Sequence, residues 1–166
     1  MADSYRLAVL KALTAQLETI AVADGYTHDL AGLVFRGRNR WGESDPDVMI
    51  SILENPRPDI GQFAGEPEGA RAESWPLFVQ GWVPDDIENP TDPAYGLMDD
   101  VETCLARITA VVDATGEPKY QSEFLLGNRI TSFRFGPGVV RPPTDGLSVR
   151  AFFYLPVYVG LAVTYG

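Results

Sequence analysis

The stretch that most constrains this chain is its last, Leu147 to Gly166. From Phe153 onward one register reads Phe153, Leu155, Val157, Val159, Leu161, Val163, and the other reads Phe152, Tyr154, Pro156, Tyr158, Gly160, Ala162, Thr164. A period of two puts one set on a core and the other on a second, more polar surface. A strand must satisfy its backbone groups, so the rest of the chain has to supply a sheet and something to cover it. In one straight piece the stretch would run about 60 Å at roughly 3.3 Å per residue, far beyond ordinary strand length. Pro156 has no amide proton for a ladder, which predicts a break, a bulge or an edge there, with Gly160 a second irregularity. A long aromatic edge is a joint in an assembly. The Phe153–Val163 register is therefore expected inside the subunit, and the Tyr154–Tyr158 register near a neighbour.

The remaining composition permits such a core. The chain has 166 residues, 45% hydrophobic and 22% charged, which is ordinary for one globular domain spanning 1–166. Its net charge is -10. That disfavours wrapping nucleic acid or lying on an anionic membrane, where affinity comes from Lys and Arg meeting phosphates. Cys104 is the single cysteine, so packing and not a disulfide must hold the fold; this fits a reducing compartment. Met1 to Arg6 lacks a basic segment leading into an apolar one, so no signal peptide is read there. The final apolar run is interrupted by Arg150, Pro156 and Gly160 and reads as a strand, not a membrane span.

In order along the chain, Leu7, Leu10, Leu13, Leu17 and Ile20 recur at helical spacing. Asp3 or Ser4 can cap this first helix, and Gly25 stands where a helix ends. Leu33–Arg36 reads as a strand, followed by the basic loop Gly37–Gly42, the acidic turn Glu43–Asp47 and a doubly apolar strand Val48–Leu53. These two strands look like a wide hairpin. The segment 54–74 carries three prolines and three glycines, which predicts a long irregular loop with Phe63 as its apolar anchor. Trp75–Val83 is a third strand, stopped by Pro84. Pro93 opens a second helix after Asp92, and Met98, Val101, Leu105, Ile108 and Val112 carry its stripe to Gly116, ~20 residues and about 30 Å. Glu117–Leu126 reads as a connector, Asn128–Phe135 as a fourth strand, and the glycine- and proline-rich segments between Gly136 and Gly146 as a loop. The expected class is α+β: a mostly antiparallel sheet of about four to six strands with two main helices packed on one face. The other face then meets solvent or another subunit, and Phe78, Trp82, Tyr154 and Tyr158 on it read either as a subunit contact or as a second small core.

Chemistry-bearing patterns are sparse. His28 and Cys104, one of each, fall short of the four ligands of a structural zinc site. Asp45 with Asp47 reads as a turn, and Asp99 with Asp100 as charge near a helix start, before either reads as a cation site. No Gly-x-Ser-x-Gly elbow, phosphate loop or dinucleotide fingerprint occurs. A Cys104–His28 pair needs an exposed thiol, whereas the stripe buries Cys104. Asp85, Asp86 and Glu88 offer acids for glycoside chemistry, with no separation to test. The expectation is no enzyme, no catalytic residue, no cofactor and no metal. The sharpest local feature is Arg36, Arg38, Arg40 and Trp41. Arginine forks and an indole suit an acidic partner. The competing readings are a solvated hairpin tip or a salt network with the acidic turn that follows; nucleic-acid binding against the global charge is weaker.

Three segments together resemble the tail terminator, or tail completion, proteins of long-tailed bacteriophages. They are Phe35–Arg38 with Asp45–Glu54, Leu77–Asp86 with Asn89–Tyr95, and the tyrosine-rich closing strand. The resemblance covers most of the chain in order and element type, and its motifs are compositional. It implies an α+β subunit of a ring, usually a hexamer, that caps the tail tube and stops its elongation. It implies a virion protein of tail and neck, assembled in the host cytoplasm. Its partners would be itself, the tail tube protein and the head–tail connector or stopper. DNA would pass through the lumen without specific binding, and no membrane, cofactor or catalysis is implied. Interface candidates are then Arg36, Arg38, Arg40, Trp41, Phe63, Trp82, Tyr154 and Tyr158. Six copies at -10 would carry about -60, and a negative lumen lets DNA slide. One alternative is another neck or minor tail protein, such as a head-closure ring. A more distant one is a small-molecule binding domain or minor hydrolase, which calls for a closed apolar pocket.

Overall fold

The computed structural model of the protein describes residues 3–54, 70–144 and 148–164. Helix α1 spans Tyr5–Glu18, and the Ser4 hydroxyl accepts the Leu7 N–H at 3.3 Å to cap it. Val9, Leu13 and Leu17 on its inner face are fully buried. Gly25 does not end this helix; it closes a separate 3-10 turn, Val22–Asp24, at φ 94°, a left-handed conformation that suits glycine. Helix α2 spans Asp92–Ala106 with proline in its first turn. It stops well short of Gly116. The run Ile108-Thr109-Ala110-Val111-Val112 is rich in β-branched residues, which are poor at continuing a helix. The chain turns instead: Val112 N–H donates to Glu117 O at 2.8 Å, and Gly116 has φ 71°.

Six strands form one sheet: β1 Val34–Arg36, β2 Met49–Glu54, β3 Ala70–Val83, β4 Ser132–Phe135, β5 Val139–Arg141 and β6 Ala151–Thr164. The order is β1-β2-β3-β6-β4, with β5 also on β6. The class expected from sequence holds: a mixed, mostly antiparallel sheet with two main helices. Several details differ. β1 and β2 are parallel, Val34 facing Ile50, so they are not a hairpin. Their connection of about a dozen residues is long enough for a crossover. Strand β3 begins at Ala70 and β2 runs to Glu54, so the loop read over 54–74 is shorter; Phe63 lies outside the described residues. Strand β5 occupies part of the loop read after Gly136. The fourth strand starts only at Ser132, because Leu125 to Asn128 all have positive φ, 48° to 72°, and form a left-handed turn.

The main correction concerns β6. It is central, not an edge: β3 pairs with it from Ala70↔Thr164 to Val83↔Ala151, and β4 and β5 line its other side. Pro156 survives there because of where its backbone points. Its carbonyl accepts the Gly136 N–H at 2.9 Å, so its missing donor faces the same side, at the break between β4 and β5. In an antiparallel ladder alternate residues bond to opposite neighbours, and no bond to β3 is lost.

The inner face of the sheet is the core. Phe153, Leu155, Val157, Val159 and Leu161 of β6 are fully buried beneath α1 and α2, together with Leu97, Val101, Cys104 and Leu105 of α2. The Phe153-led register is therefore inside, as its periodicity predicts.

Candidate interaction surface

The outer face carries the other register. Cross-strand pairing puts Met49, Trp82, Phe152 and Arg141 in one row, and Phe35, Ser51, Gln80, Tyr154 and Val139 in the next. The row after that holds Leu53, Phe78 and Pro156, followed by Tyr158 with Arg134. No helix covers this face among the described residues. The β1–β2 connection covers one corner. There Met49, Trp82 and Phe152 form a small second core with Phe35, Trp41 and Tyr154 packed on it. Trp82 is 1% exposed. Of its two readings, partner interface or second small core, this corner realises the second and buries it within its own chain. Phe78, Tyr154, Pro156 and Tyr158 remain half-buried. Phe78 meets Tyr154 edge-on at 6.5 Å, and the Arg134 guanidinium lies 4.4 Å from the Tyr158 ring centroid.

The basic loop is tied to its own surroundings. Arg36 donates to the Thr14 hydroxyl of α1 at 2.9 Å. Arg38 pairs with Asp45 at 2.8 Å and stacks 3.7 Å over Phe35. The Trp41 indole donates to Pro46 O at 2.6 Å, and Arg150 stacks on its ring while pairing with Asp47 at 2.9 Å. Arg40 makes no ion pair or hydrogen bond among the described residues and is exposed. The salt network with the acidic turn is thus realised, and Arg40 is the free arginine of the loop. Sequence patterning brings together Arg38, Trp41, Trp82 and Tyr154, leaves Arg36 on the other face, and sets Tyr158 farther along the sheet.

Between this corner and β5 lies a groove of about 460 Å³ lined by Asn39, Gln80, Arg141, Thr144, Ser148, Phe152 and Tyr154. Phe152 and Tyr154, with ring centroids 6.2 Å apart, make its floor. The side chains of Asn39, Gln80 and Arg141 form no hydrogen bond among the described residues, so their donors are free for a ligand. A second cleft, about 500 Å³, runs between α1 and the left-handed turn, lined by Ala8, Ala12, Ala15, Gln16, Glu123 and Arg129 among others. Its inner wall is a structural network. Arg107 grips Glu123 through bonds of 2.7 to 3.1 Å and stacks 3.6 Å from Tyr120. Gln16 donates to Glu123 at 2.9 Å and to Cys104 O at 3.3 Å. The hydrogen-bonded Arg107 guanidinium holds the Glu123 carboxyl below its ordinary range, against a smaller opposing effect of burial. Burial pushes the Cys104 thiol up, and it pushes Tyr26 to about 12.

Two features escaped the sequence reading. Asp100, read as a charge near a helix start, is 5% exposed in α2. It accepts from Thr27 N–H and hydroxyl, and its Oδ2 lies 2.8 Å from His28 Nδ1. The trio closes on itself and pins the 25–29 loop to α2. The second is Ile87, which is 96% exposed in a turn whose other side chains are mostly acids. Its signal was present: one aliphatic residue alone between Asp86 and Glu88. Among the described residues no three His, Cys, Asp or Glu side chains gather as a metal site, and no helix is long and apolar enough to cross a membrane. The chain matches no family model, and no curated protein matches its sequence.

Proposed function

We propose that the chain is a structural ring subunit of a phage tail, a tail terminator that caps the tube, halts its growth and presents a surface to the head connector. The observation that supports this best is the one-sided covering of the sheet. Two helices close the inner face, while the outer face keeps a half-buried aromatic strip, Phe78, Tyr154, Pro156 and Tyr158. Aromatic residues beside arginine, as Tyr158 is beside Arg134, have the composition of a subunit contact. Termination then has a simple physical form: one ring face matches the tube end, the opposite face does not match tube protein, and addition stops. The ring is read as six copies from the resemblance. Its summed negative charge keeps DNA mobile in the lumen.

The test is deletion of the gene from its phage, with electron microscopy of the lysate. Overlong, uncapped tubes support a terminator. Tails of normal length, or none at all, sink that reading and favour a neck or tube component.

A further inference from the structure

We infer that the loop Asp85–Asp92 of one copy of this chain docks, Ile87 first, into the outer-face groove of a second copy. This inference rests on the ring reading and names the joint that would close it. The plug is unusual in two respects. Ile87 is almost fully exposed, and it stands among Asp85, Asp86, Glu88 and Asp92, all exposed. The loop is also fixed. The Asp86 carboxylate accepts the N–H of Glu88 at 3.1 Å and of Asn89 at 2.8 Å, and Asp92 N–H donates to Asn89 O at 3.1 Å at the start of α2. Such an Asx turn holds the tip in one shape, so docking costs little ordering entropy.

An aliphatic tip in a carboxylate collar calls for an apolar floor with a basic, hydrogen-bonding rim. The outer-face groove has that composition: Phe152 and Tyr154 below, Arg141, Asn39 and Gln80 around. Its volume accommodates one isoleucine with its flanking backbone. No residue of the loop lines the groove of its own chain. The carboxylates repel nucleic-acid phosphate and attract Arg141, which favours protein over DNA as the occupant. Plug and socket are different surfaces, so the contact is heterologous. Each added copy offers a fresh plug and a fresh socket until rotation closes the ring.

The joint is tested with chains that each carry one introduced, exposed cysteine. Ile87→Cys and Asn39→Cys change exposed residues, and Cys104 is buried. Mixed and mildly oxidised, the two chains are expected to cross-link well above a control pairing Ile87→Cys with Lys11→Cys on the exposed side of α1. One chain carrying both Ile87→Cys and Asn39→Cys should give a ladder of covalent oligomers. In light scattering of the full chain, Ile87→Asp and Arg141→Glu should each weaken self-association by about tenfold or more, and Glu88→Arg with Arg141→Glu together should restore it. Cross-linking no greater than the Lys11 control, or unchanged association in both single variants, overturns this joint; rings still seen by microscopy would leave the ring reading standing. A wild-type chain that does not self-associate, together with no cross-link between the Ile87→Cys and Asn39→Cys chains, sinks both. Cross-linking of the Ile87→Cys chain to a different protein in an infected lysate, and not to Asn39→Cys, overturns the second copy as occupant.

Discussion

Gly81→Ala should destabilise the protein, although a strand ordinarily gains from losing a glycine. Gly81 lies near the C-terminal end of β3, flanked on both sides, by Phe153 of β6 and Ile50 of β2. A Cβ built there overlaps Phe153 Cε1 and lies 2.8 Å from Cζ and 2.9 Å from Ile50 Cδ1. Both neighbours are fully buried, so neither can swing aside. Overpacking of this kind costs ~1–3 kcal/mol, and the reduced entropy of the unfolded chain offsets ~0.4–1 kcal/mol of it. The net loss is about 1–2 kcal/mol, a fall in melting temperature of ~2–8 °C at this chain length. Urea and thermal unfolding followed by circular dichroism measure it. Gly96 in α2 is the control: a Cβ there meets nothing within 4 Å, and Gly96→Ala should stabilise by ~0.5–1 kcal/mol. Trimming the ring, as Phe153→Leu, should make Gly81→Ala cheaper, giving a favourable coupling in a double-mutant cycle. A Gly81→Ala protein as stable as wild type, or additive effects in the cycle, would refute the packing of the Phe153 ring on the Gly81 backbone.

Three further outcomes follow from other contacts. Glu123 is held below its ordinary 4.5 by Arg107, so its stabilising effect is complete above that value and is lost as pH falls through the lowered one. Glu123→Gln should flatten the acid limb of stability against pH by about 1 kcal/mol, because the pair is partly exposed. Cys104 and Tyr26 are both raised, by burial first; stability from their neutral forms is intact below the ordinary thiol value of 9.0 and declines as pH rises past it. Cys104→Ala with Tyr26→Phe should blunt that alkaline loss in urea titrations, and the wild-type thiol should react with a colorimetric thiol reagent only on unfolding. Arg38→Ala removes the Asp45 pair and the stack on Phe35. It should cost ~0.5–1 kcal/mol and red-shift tryptophan emission as the cover over Trp82 loosens, whereas Arg40→Ala should stay within ~0.5 kcal/mol of wild type.

What could be read from sequence followed from short-range pattern. The alternation of β6 assigned its inner register, and the stripe of α2 from Met98 to Leu105 assigned its buried face, because burial imposes those periods directly. Direction and neighbours are not encoded that way. Alternation is the same for a parallel and an antiparallel partner, so Leu33–Arg36 beside Val48–Leu53 reads as a hairpin although the strands are parallel. Trp82 was placed on the outer face correctly, but its cover comes from residues about forty positions earlier, which no local window contains. Val112 fits the helical stripe by spacing yet lies beyond the helix and is 41% exposed. The β-branched run before it was the stronger signal.

The central position of β6 also changes how copies of this chain could join under the proposed ring reading. An exposed edge strand joins copies through its backbone, and the sequence suggested such an edge at Pro156. The sheet ends instead on β1, three residues, on one side and on β4 and β5, four and three residues, on the other, while Ala70–Pro76 of β3 has no partner on its β2 side among the described residues. Edges so short offer few ladder bonds and are a common way to avoid unwanted pairing. Association through the backbone is therefore weak along β1, β4 and β5. The outer face and its loops offer side-chain contact instead: the aromatic strip from Phe78 to Tyr158, the Arg141 groove beside it, and the fixed acidic loop with Ile87 at its tip. Contacts of that kind are specific in charge and shape, and they allow a ring to close and stop where a backbone edge would keep adding strands.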